Sequence, residues 1–333
     1  MCTFNGSQFL PAQLRSIAEQ TRLPDDVVIC DDGSSDGSDA IGDTFVRTAP
    51  FPVRMWRNPT NFGVTANFEK AISLCESSIV VLADQDDVWY RHKLASMEHA
   101  LLAADEIVAV FSDADLIDDR SQPAHRRLWE SFSFSRREQK RFFGGDALRV
   151  LIKHPVVTGA TMAFRRNLLD RLLPIPAGQM HDTWLAFLLA ASGRILPIAE
   201  PLMQYRRHQS QQIGPGLQSF RERWLRAQCT GPDFYLGEAR HFREIQQRLE
   251  KQRACFPYAE CALREIDNKI AHRERRATLP RNSAARISVV IREIFNRGYW
   301  RYSQGWQSAA KDLAGLTAKQ KTALLRQRID AQR

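Results

Sequence analysis

The first half of the chain alternates short apolar runs with segments of helical periodicity. Runs rich in β-branched residues predict strands at 27–30, 53–56, 78–83 and 107–111. Between them, apolar residues that recur every three or four positions predict helices at 9–19, 65–75 and 92–104. Because strands that alternate with helices form βαβ units, this pattern predicts an α/β domain built on a mainly parallel sheet.

The remaining chain changes character twice. Residues 123–143 are rich in Arg, Ser and Phe and predict an irregular loop. The next patterns predict a turn and strand at 156–166, an amphipathic helix at 182–193 and two extended segments around Pro197 and Pro201. Beyond Gly216 the patterns predict helices at 217–252, 258–276 and 284–295. The Gly-Pro-Gly run at 214–216 marks the boundary, so we expect an α/β domain over 1–214 and a helical region over 215–333.

Composition excludes several classes of protein. The 333 residues are 44% hydrophobic, which suffices for a large core. No apolar run approaches the roughly 18–20 residues that cross a bilayer, and the N-terminus MCTFNGSQFLP lacks the basic and apolar regions of a signal peptide. We therefore expect a cytoplasmic location. The six cysteines contain no Cys-x-x-Cys pair, which indicates neither a zinc site nor a disulfide framework.

Charge is distributed unevenly along the chain. Residues 1–204 carry 21 Lys and Arg against 26 Asp and Glu, whereas residues 205–333 carry 26 against 12. An acidic first part with organised Asp clusters favours cation-dependent chemistry, and a basic second part favours an anionic partner. The alternative for the basic part is a solvated helical face.

Acidic residues follow three of the predicted strands. These residues are Asp31-Asp32, Asp84 with Asp86 and Asp87, and Asp113 with Asp115. In open α/β sheets the ligand binds outside the carboxyl ends of the strands, so the sequence predicts a site at this edge.

Asp84 and Asp86 suit a hard cation. Two carboxylates separated by one residue can both bind Mg²⁺ or Mn²⁺, which keeps water and substrate phosphates in its other positions. An isolated Asp-x-Asp pair is more often a loop of solvated acids. Here the buried strand before the pair and the acidic ends of neighbouring strands favour a metal site.

The run DDGSSDGSD, residues 31–39, has two interpretations beyond a merely capped turn. A calcium-binding loop is contradicted by the strand before it and by Asp43 at the position where an EF-hand requires Glu. A strand-to-helix turn fits better: its carboxylates would accept hydrogen bonds from a nucleobase, and Ser38 or Asp39 would cap the next helix.

Several motifs in order and at plausible spacing resemble one enzyme family. They are CTFNGSQFLPAQLRSIAEQT, CDDGSSDGS, NFGVTANFEKAI, LADQDDVW, VTGATMAFRRNLL and HDTW, and they cover about residues 1–210. This stretch resembles the family 2 glycosyltransferases, most of all the rhamnosyltransferase-type members that build bacterial surface polysaccharides. The start of the chain resembles only the end of the family's first strand, so we expect that strand to be missing.

The resemblance implies a glycosyltransferase-A fold and transfer of a sugar from a nucleoside diphosphate donor with inversion. It implies nucleotide contacts at Thr3 and Asn5, base recognition by Asp31 and Asp32, and a metal site at Asp84 and Asp86. A bound Mg²⁺ or Mn²⁺ would stabilise the charge that develops on the leaving diphosphate.

Further candidates follow from the same resemblance. Asp182 matches the base that takes the proton of the acceptor hydroxyl, although its position also suits a helix cap. His181 replaces the acid of the family pattern, and it and His208 are candidate donor or diphosphate contacts; the alternative for His208 is a surface His. Trp184 is a candidate acceptor contact or a core residue.

The helix predicted at 284–295 has an apolar face made by Ile287, Val290, Ile291 and Ile294, flanked by Arg and followed by Tyr and Trp. This pattern suits peripheral contact with an anionic membrane on the cytoplasmic side. Packing on the first domain or on a second subunit is the alternative, and nucleic acid is not indicated, because no reading module accompanies the charge.

Together these features predict a metal-dependent inverting glycosyltransferase of bacterial polysaccharide or lipopolysaccharide synthesis, with a glycan or lipid-linked acceptor. The resemblance favours a deoxythymidine-linked rhamnose donor. The alternative hypothesis is a non-catalytic nucleotide- or glycan-binding protein.

Overall fold

The computed structural model describes residues 1–208 and 231–314. The described residues form two compact units. The first contains 1–151, 155–208 and 254–258, and the second contains 152–154, 231–253 and 259–314. The boundary predicted at 214–216 and the helical pattern predicted from 217 to 230 lie outside the described residues.

A parallel three-stranded sheet opens the first unit. Its strands are β1 (Cys2–Thr3), β2 (Val27–Asp31) and β3 (Val53–Arg57), in the order β1-β2-β3. Helices α1 (Leu10–Ala18), α2 (Ser38–Thr48) and α3 (Val64–Ser73) alternate with them. The periodicity predicts α1 and α3, and α2 follows the turn at 31–39. The first strand, which we expected to be missing, is present as two residues in register with β2, with Cys2 opposite Cys30. It forms because the backbone N–H groups of Cys30 and Asp32 donate to the carbonyls of Met1 and Thr3.

The second sheet is mixed. It contains β4 (Ile79–Val81), β5 (Val88–Trp89), β6 (Ile107–Ile117), β7 (Pro123–Arg127), β8 (Met162–Arg165) and β9 (Arg194–Arg206). The order is β4-β8-β6-β9-β5, with β7 paired to β6. Only β6 and β9 are parallel; the other pairs are antiparallel. Parallel pairing therefore holds for the first sheet and for one pair of the second.

The third acidic run lies inside a strand, which corrects its predicted place at a strand end. Strand β6 continues to Ile117, because β9 pairs along it on one side and β7 extends the other. Asp113 is buried and accepts a hydrogen bond from the backbone N–H of Trp129 at 3.0 Å. Asp115 accepts one from the Tyr90 hydroxyl at 2.8 Å. Both carboxylates are used within the fold.

Residues 123–143 are largely ordered into elements, so the predicted irregular loop is wrong. Besides β7, they form α5 (Leu128–Ser131) and α6 (Arg136–Phe143). Trp129, Phe134 and Phe142 of this segment are buried around Phe111, whose ring centroid lies 5.3 Å from that of Phe142. Burial of these rings stabilises the helical conformation of a segment whose polar composition had predicted a loop.

The remaining helices of the first unit are α4 (Lys93–Leu102), α7 (Ala147–Leu151), α8 (Leu169–Leu172) and α9 (His181–Ser192). Helix α9 was predicted to be amphipathic. Instead it is buried on all sides, because apolar residues occupy almost every position from Trp184 to Ala191. A helix that is apolar all round is typical of a protein interior.

The second unit is helical, as the patterns predict. Its described helices are α10 (Pro232–Lys251), α11 (Ala259–Ala277), α12 (Ser283–Phe295), α13 (Gly298–Tyr302) and α14 (Trp306–Ala314). Its interior contains charged pairs: the Arg276 guanidinium donates to both carboxylate oxygens of Asp312, at 2.7 and 3.0 Å. Across the described parts of both units, no helix combines the length and the apolar character needed to cross a membrane.

Candidate active site

Three aspartates converge in the loop between β4 and β5. Asp84, Asp86 and Asp87 each present a carboxylate oxygen, and these oxygens lie within 4.8 Å of one another. Asp86 and Asp87 are buried and Asp84 is half-buried, so water screens their repulsion poorly. Asp87 was not assigned to the metal site from the sequence.

The pKa values of this cluster reflect burial and mutual repulsion. Burial and the neighbouring charges of Asp86 and Asp182 raise the pKa of Asp84 to about 7. Burial and the charge of Asp86 raise the pKa of Asp87 well above its usual range. A divalent cation would favour the ionised carboxylates, and three oxygens from carboxylates fit Mg²⁺ or Mn²⁺.

Two buried cationic side chains interact with this loop. Lys93 lies with its Nζ 4.2 Å from the centroid of the Trp89 ring, and burial lowers its pKa to about 7. Arg206 donates from its backbone N–H to Asp87 Oδ1 at 3.0 Å and from Nε to the backbone carbonyl of Asp86 at 2.7 Å. Asp87 thus fastens the loop to the end of β9.

His208 lies beside the predicted metal ligands. Its Nε2 is 2.8 Å from Asp86 Oδ2, and its ring packs against Phe9 with centroids 4.8 Å apart. The sequence interpretation as an exposed surface His does not fit this half-buried position.

Asp31 is committed to the fold. Its Oδ1 accepts hydrogen bonds from the hydroxyls of Thr3 at 2.7 Å and Ser34 at 2.6 Å, and its Oδ2 accepts the Ser34 N–H at 2.9 Å. The buried Asp31 carboxylate does not line the cavity described below, so it is poorly placed to read a base. It instead holds the loop after β1 against the turn after β2.

Asp32 is also buried, but it faces the cavity described below. Its carboxylate accepts hydrogen bonds from the backbone N–H groups of Phe62 and Gly63, both at 2.9 Å, and from Asn58 Nδ2 at 2.8 Å. These contacts order the 58–63 loop.

Asn5 and the following turn are held by short polar contacts. Asn5 adopts a left-handed conformation with φ 47°, and its Oδ1 accepts the N–H of Ser35 at 2.9 Å. The N-cap of α2 is Gly37, where the sequence had indicated Ser38 or Asp39. Asp36 lies just before it, and its Oδ1 accepts the Ser38 N–H at 3.1 Å.

The start of α9 brings Asp182 and His181 to the site. Asp182 lies in the first turn, and its Oδ1 accepts the N–H of Thr183 at 2.6 Å. The buried His181 ring stacks on Phe68 with centroids 4.1 Å apart. Burial lowers the pKa of His181, and neither of its ring nitrogens has a hydrogen-bond partner among the residues that the structure describes.

Trp184 lies in the core, which corrects its candidate role as an acceptor contact. Its side chain is fully buried, and its Nε1 donates to the carbonyl of Leu172 at 2.8 Å. One helical turn separates it from the site, because α9 runs into the interior from His181 onward.

One cavity of about 620 Å³ collects most of the predicted site residues. Its lining includes Thr3, Asn5, Asp32, Asp84, Asp86, His181, Asp182 and His208. Asp31 and Trp184 are absent from it. The acids proposed for the metal and the acid proposed as base therefore share one chamber in the first unit.

Gln85 is a residue of this chamber that sequence reasoning missed. Its side chain accepts the N–H of Phe4 at 2.8 Å and donates to the carbonyl of Phe4 at 3.0 Å, which joins the aspartate loop to the end of β1. Its position between two candidate metal ligands was the available signal.

Comparison with known proteins decides the family. The model of the family described as "Glycosyl transferase family 2" matches residues 1–173. The chain belongs to this family. This family 2 glycosyltransferase is 25% identical over 214 residues to an uncharacterised glycosyltransferase of Nostoc sp., and the match covers 62% of each chain. This chain therefore spans less than two thirds of that relative's length.

A second relative of this glycosyltransferase is the dTDP-rhamnosyl transferase RfbG of Shigella flexneri. The two are 24% identical over 249 residues, which cover 72% of this chain and 81% of RfbG. Among solved structures, S. aureus TarS 1-349 in complex with UDP-GlcNAc superposes with a TM-score of 0.56 and 13% identity, over 92% of this chain and 88% of the TarS 1-349 chain. This likeness confirms the predicted glycosyltransferase-A fold.

Proposed function

We propose that this protein transfers a sugar, with inversion, from a nucleoside diphosphate donor to a hydroxyl of an acceptor glycan in bacterial surface polysaccharide or O-antigen lipopolysaccharide synthesis. The observation that carries the proposal is that Asp182 lines the same cavity as Asp84 and Asp86. One carboxylate for the proton and a separate acidic cluster for a cation are the two elements that the reaction requires.

Asp84 and Asp86 are the proposed ligands of Mg²⁺ or Mn²⁺. When bound, such an ion would neutralise the negative charge of the departing diphosphate. His208 contacts Asp86 and is proposed to orient that carboxylate or to contact the diphosphate. The buried Asp87 anchors the loop to β9 through Arg206.

Asp182 is the proposed general base. The acceptor oxygen attacks the anomeric carbon, its proton passes to the Asp182 carboxylate, and the bond between that carbon and the diphosphate oxygen breaks with its electron pair. Attack opposite the leaving group inverts the configuration. Positioned proton transfer of this kind contributes roughly 10²–10⁴-fold to a rate.

Nucleotide contacts are proposed for Thr3, Asn5 and Asp32, which line the cavity. Asp31 accepts a hydrogen bond from the Thr3 hydroxyl and is proposed to position Thr3 for its nucleotide contact. His181 is a donor-sugar contact in this proposal, because a neutral imidazole suits a hydroxyl better than a diphosphate. A hydroxyl, which both donates and accepts, can pair with a neutral ring nitrogen in either tautomer.

The donor we propose is deoxythymidine diphosphate rhamnose, by analogy with the name of the Shigella relative. The acceptor is a glycan carried on a lipid, and the reaction takes place at the inner face of the cytoplasmic membrane. A non-catalytic nucleotide-binding protein is the second candidate function, and it predicts donor binding without turnover.

The decisive experiment measures transfer and donor binding on the same preparations. With Mn²⁺ and dTDP-rhamnose, Asp182→Asn should reduce transfer at least about 100-fold while the donor-induced rise in Tm is retained. The matched control is Asp170→Asn, an exposed aspartate in the first turn of α8. Donor binding by the unmodified chain without transfer to any membrane-extracted acceptor would support the second candidate, and equal loss in both variants would contradict the role of Asp182.

A further inference from the structure

Large apolar side chains stand exposed on the helices α12 to α14 of the second unit. The exposed fractions are 45% for Ile287, 44% for Ile291, 82% for Phe295, 38% for Trp300 and 65% for Trp306. We name these five residues the aromatic face. We infer that the aromatic face is a docking surface for an anionic lipid bilayer.

The opposite side of these helices forms the interior of the unit. Val290, Tyr299 and Ala309 are fully buried against one another, and Tyr302 is buried nearby. The sequence pattern had placed Val290 and Ile294 on the membrane-facing side, which is wrong because they face inward. Ile287, Ile291 and Phe295 are spaced by four residues and therefore share the outward side of α12.

The charges around the aromatic face have a single sign at the surface. Residues 281–314 contain six Lys and Arg and two acids, Glu293 and Asp312. Both acids are buried, with exposed fractions of 2% and 5%, and both are paired inside the unit, with His272 and Arg276 respectively. The surface of this stretch consequently displays cations and none of its own carboxylates.

The exposed cations lie on the same elements as the aromatic face. They are Arg281, Arg292, Arg297 and Arg301. The Arg301 guanidinium also pairs with Glu265. Arginine attracted to lipid phosphate, beside Trp and Phe that insert at the level of the headgroups, is the arrangement by which interfacial helices bind membranes.

Charge and apolar area together select the occupant. A second copy of the chain would bring like charges together at the rim of the face, which opposes self-association. Nucleic acid would match the arginines but not the exposed aliphatic side chains Ile287 and Ile291. A bilayer with anionic headgroups complements both features.

The test is vesicle co-sedimentation of the full chain, with vesicles of phosphatidylcholine alone and with phosphatidylglycerol added. We expect binding to the anionic vesicles, weakening with salt, and at least a tenfold loss in Phe295→Ser combined with Trp306→Ser. Arg292→Gln combined with Arg281→Gln should reduce binding to anionic vesicles only. The matched controls are Phe234→Ser, which removes an aromatic side chain that is 53% exposed on α10, and Arg240→Gln on the same helix.

The outcomes separate this inference from the proposed function, on which it depends only for its biological purpose. Vesicle binding requires neither donor nor transfer, and the donor-induced rise in Tm requires no lipid. Absence of binding by the unmodified chain, equal binding to both vesicles, or equal loss in face and control variants would overturn the inference. A dimer in sedimentation equilibrium that disappears in Phe295→Ser would assign the face to a second copy instead.

Discussion

His208 Nε2 and Asp86 Oδ2 lie 2.8 Å apart, although 122 residues separate them in the chain. The contact forms because β9 ends beside the loop that follows β4. There the backbone N–H of Arg206 donates a hydrogen bond to the Asp87 carboxylate. His208, two residues beyond the end of β9, therefore lies against the acidic loop that follows β4.

This contact leads to a prediction for metal binding. Asp86→Asn removes a charged ligand, so the Mn²⁺-dependent part of the nucleotide-induced rise in Tm should disappear. A ligand at 100 times its dissociation constant stabilises by about 2.7 kcal/mol, which is a shift of several degrees. His208→Ala should weaken Mn²⁺ binding roughly 10-fold to 100-fold.

Thermal denaturation with and without Mn²⁺ checks these values, with Asp119→Asn as the matched control because Asp119 is exposed outside the cavity. An unchanged Mn²⁺ effect in Asp86→Asn would exclude this residue as a ligand.

From the raised pKa of Asp84 we predict that the stability of the metal-free protein depends on pH. The folded state keeps its proton up to about pH 7, whereas an unfolded chain releases it at about pH 4. The folded state thus binds more protons in this window, so this group makes the free energy of unfolding fall as the pH rises from about 4 to 7. Urea denaturation with EDTA at pH 5 and pH 7.5 measures it.

In Asp84→Asn that contribution should be absent, and the difference between the two pH values should shrink by the part that Asp84 supplies. Because metal binding displaces the proton, Mn²⁺ should stabilise the unmodified chain more at pH 7.5 than at pH 5. An identical pH profile in both proteins would refute the raised pKa.

Trp184 should matter for stability and not for the acceptor. Trp184→Phe leaves the buried Leu172 carbonyl without its donor, which costs about 1–3 kcal/mol. Denaturation should register this loss while the KM for the acceptor stays unchanged. Trp56→Phe, at a side chain that is 43% exposed, is the control and should be nearly neutral. A raised KM with unchanged stability would return Trp184 to the acceptor site.

Gly159 and His181 should behave as a coupled pair. A Cβ at position 159 would lie 2.7 Å from His181 Nε2, so Gly159→Ala must displace the ring at a cost of about 1–3 kcal/mol. His181→Ala should relieve most of that cost in the double variant, which a double-mutant cycle on the free energy of unfolding would detect. Additive effects would mean that another contact limits the space at Gly159.

Much of the fold could be predicted from local sequence, because α1, α3 and α4 and the strands β2 and β3 have clear periods. What failed depended on distant contacts. Asp113 looked like a residue at a strand end until the pairing of β6 with β9 was known. Phe142 of α6 looked like a loop residue until its burial against Phe111 was seen.

The same distinction applies to the candidate site. The spacing of Asp84 and Asp86 indicated a metal site from the sequence alone, because both side chains come from one short loop. Asp31 and Asp32 look equivalent in the sequence, yet only Asp32 lines the cavity. Asp31 turns to Thr3 and Ser34, whereas Asp32 turns to the 58–63 loop. That difference depends on residues far apart in the chain.

The buried pair Arg276 and Asp312 restricts how the helical unit can diverge. Loss of either partner alone strands an ionised group in the interior, which costs about 3–5 kcal/mol, whereas replacement of both by apolar side chains is tolerated far better. Substitutions in α11 and α14 should therefore be accepted together. A chimera that takes only one of these helices from a relative would fold poorly. A chimera that takes both helices, and with them both members of the pair, should fold.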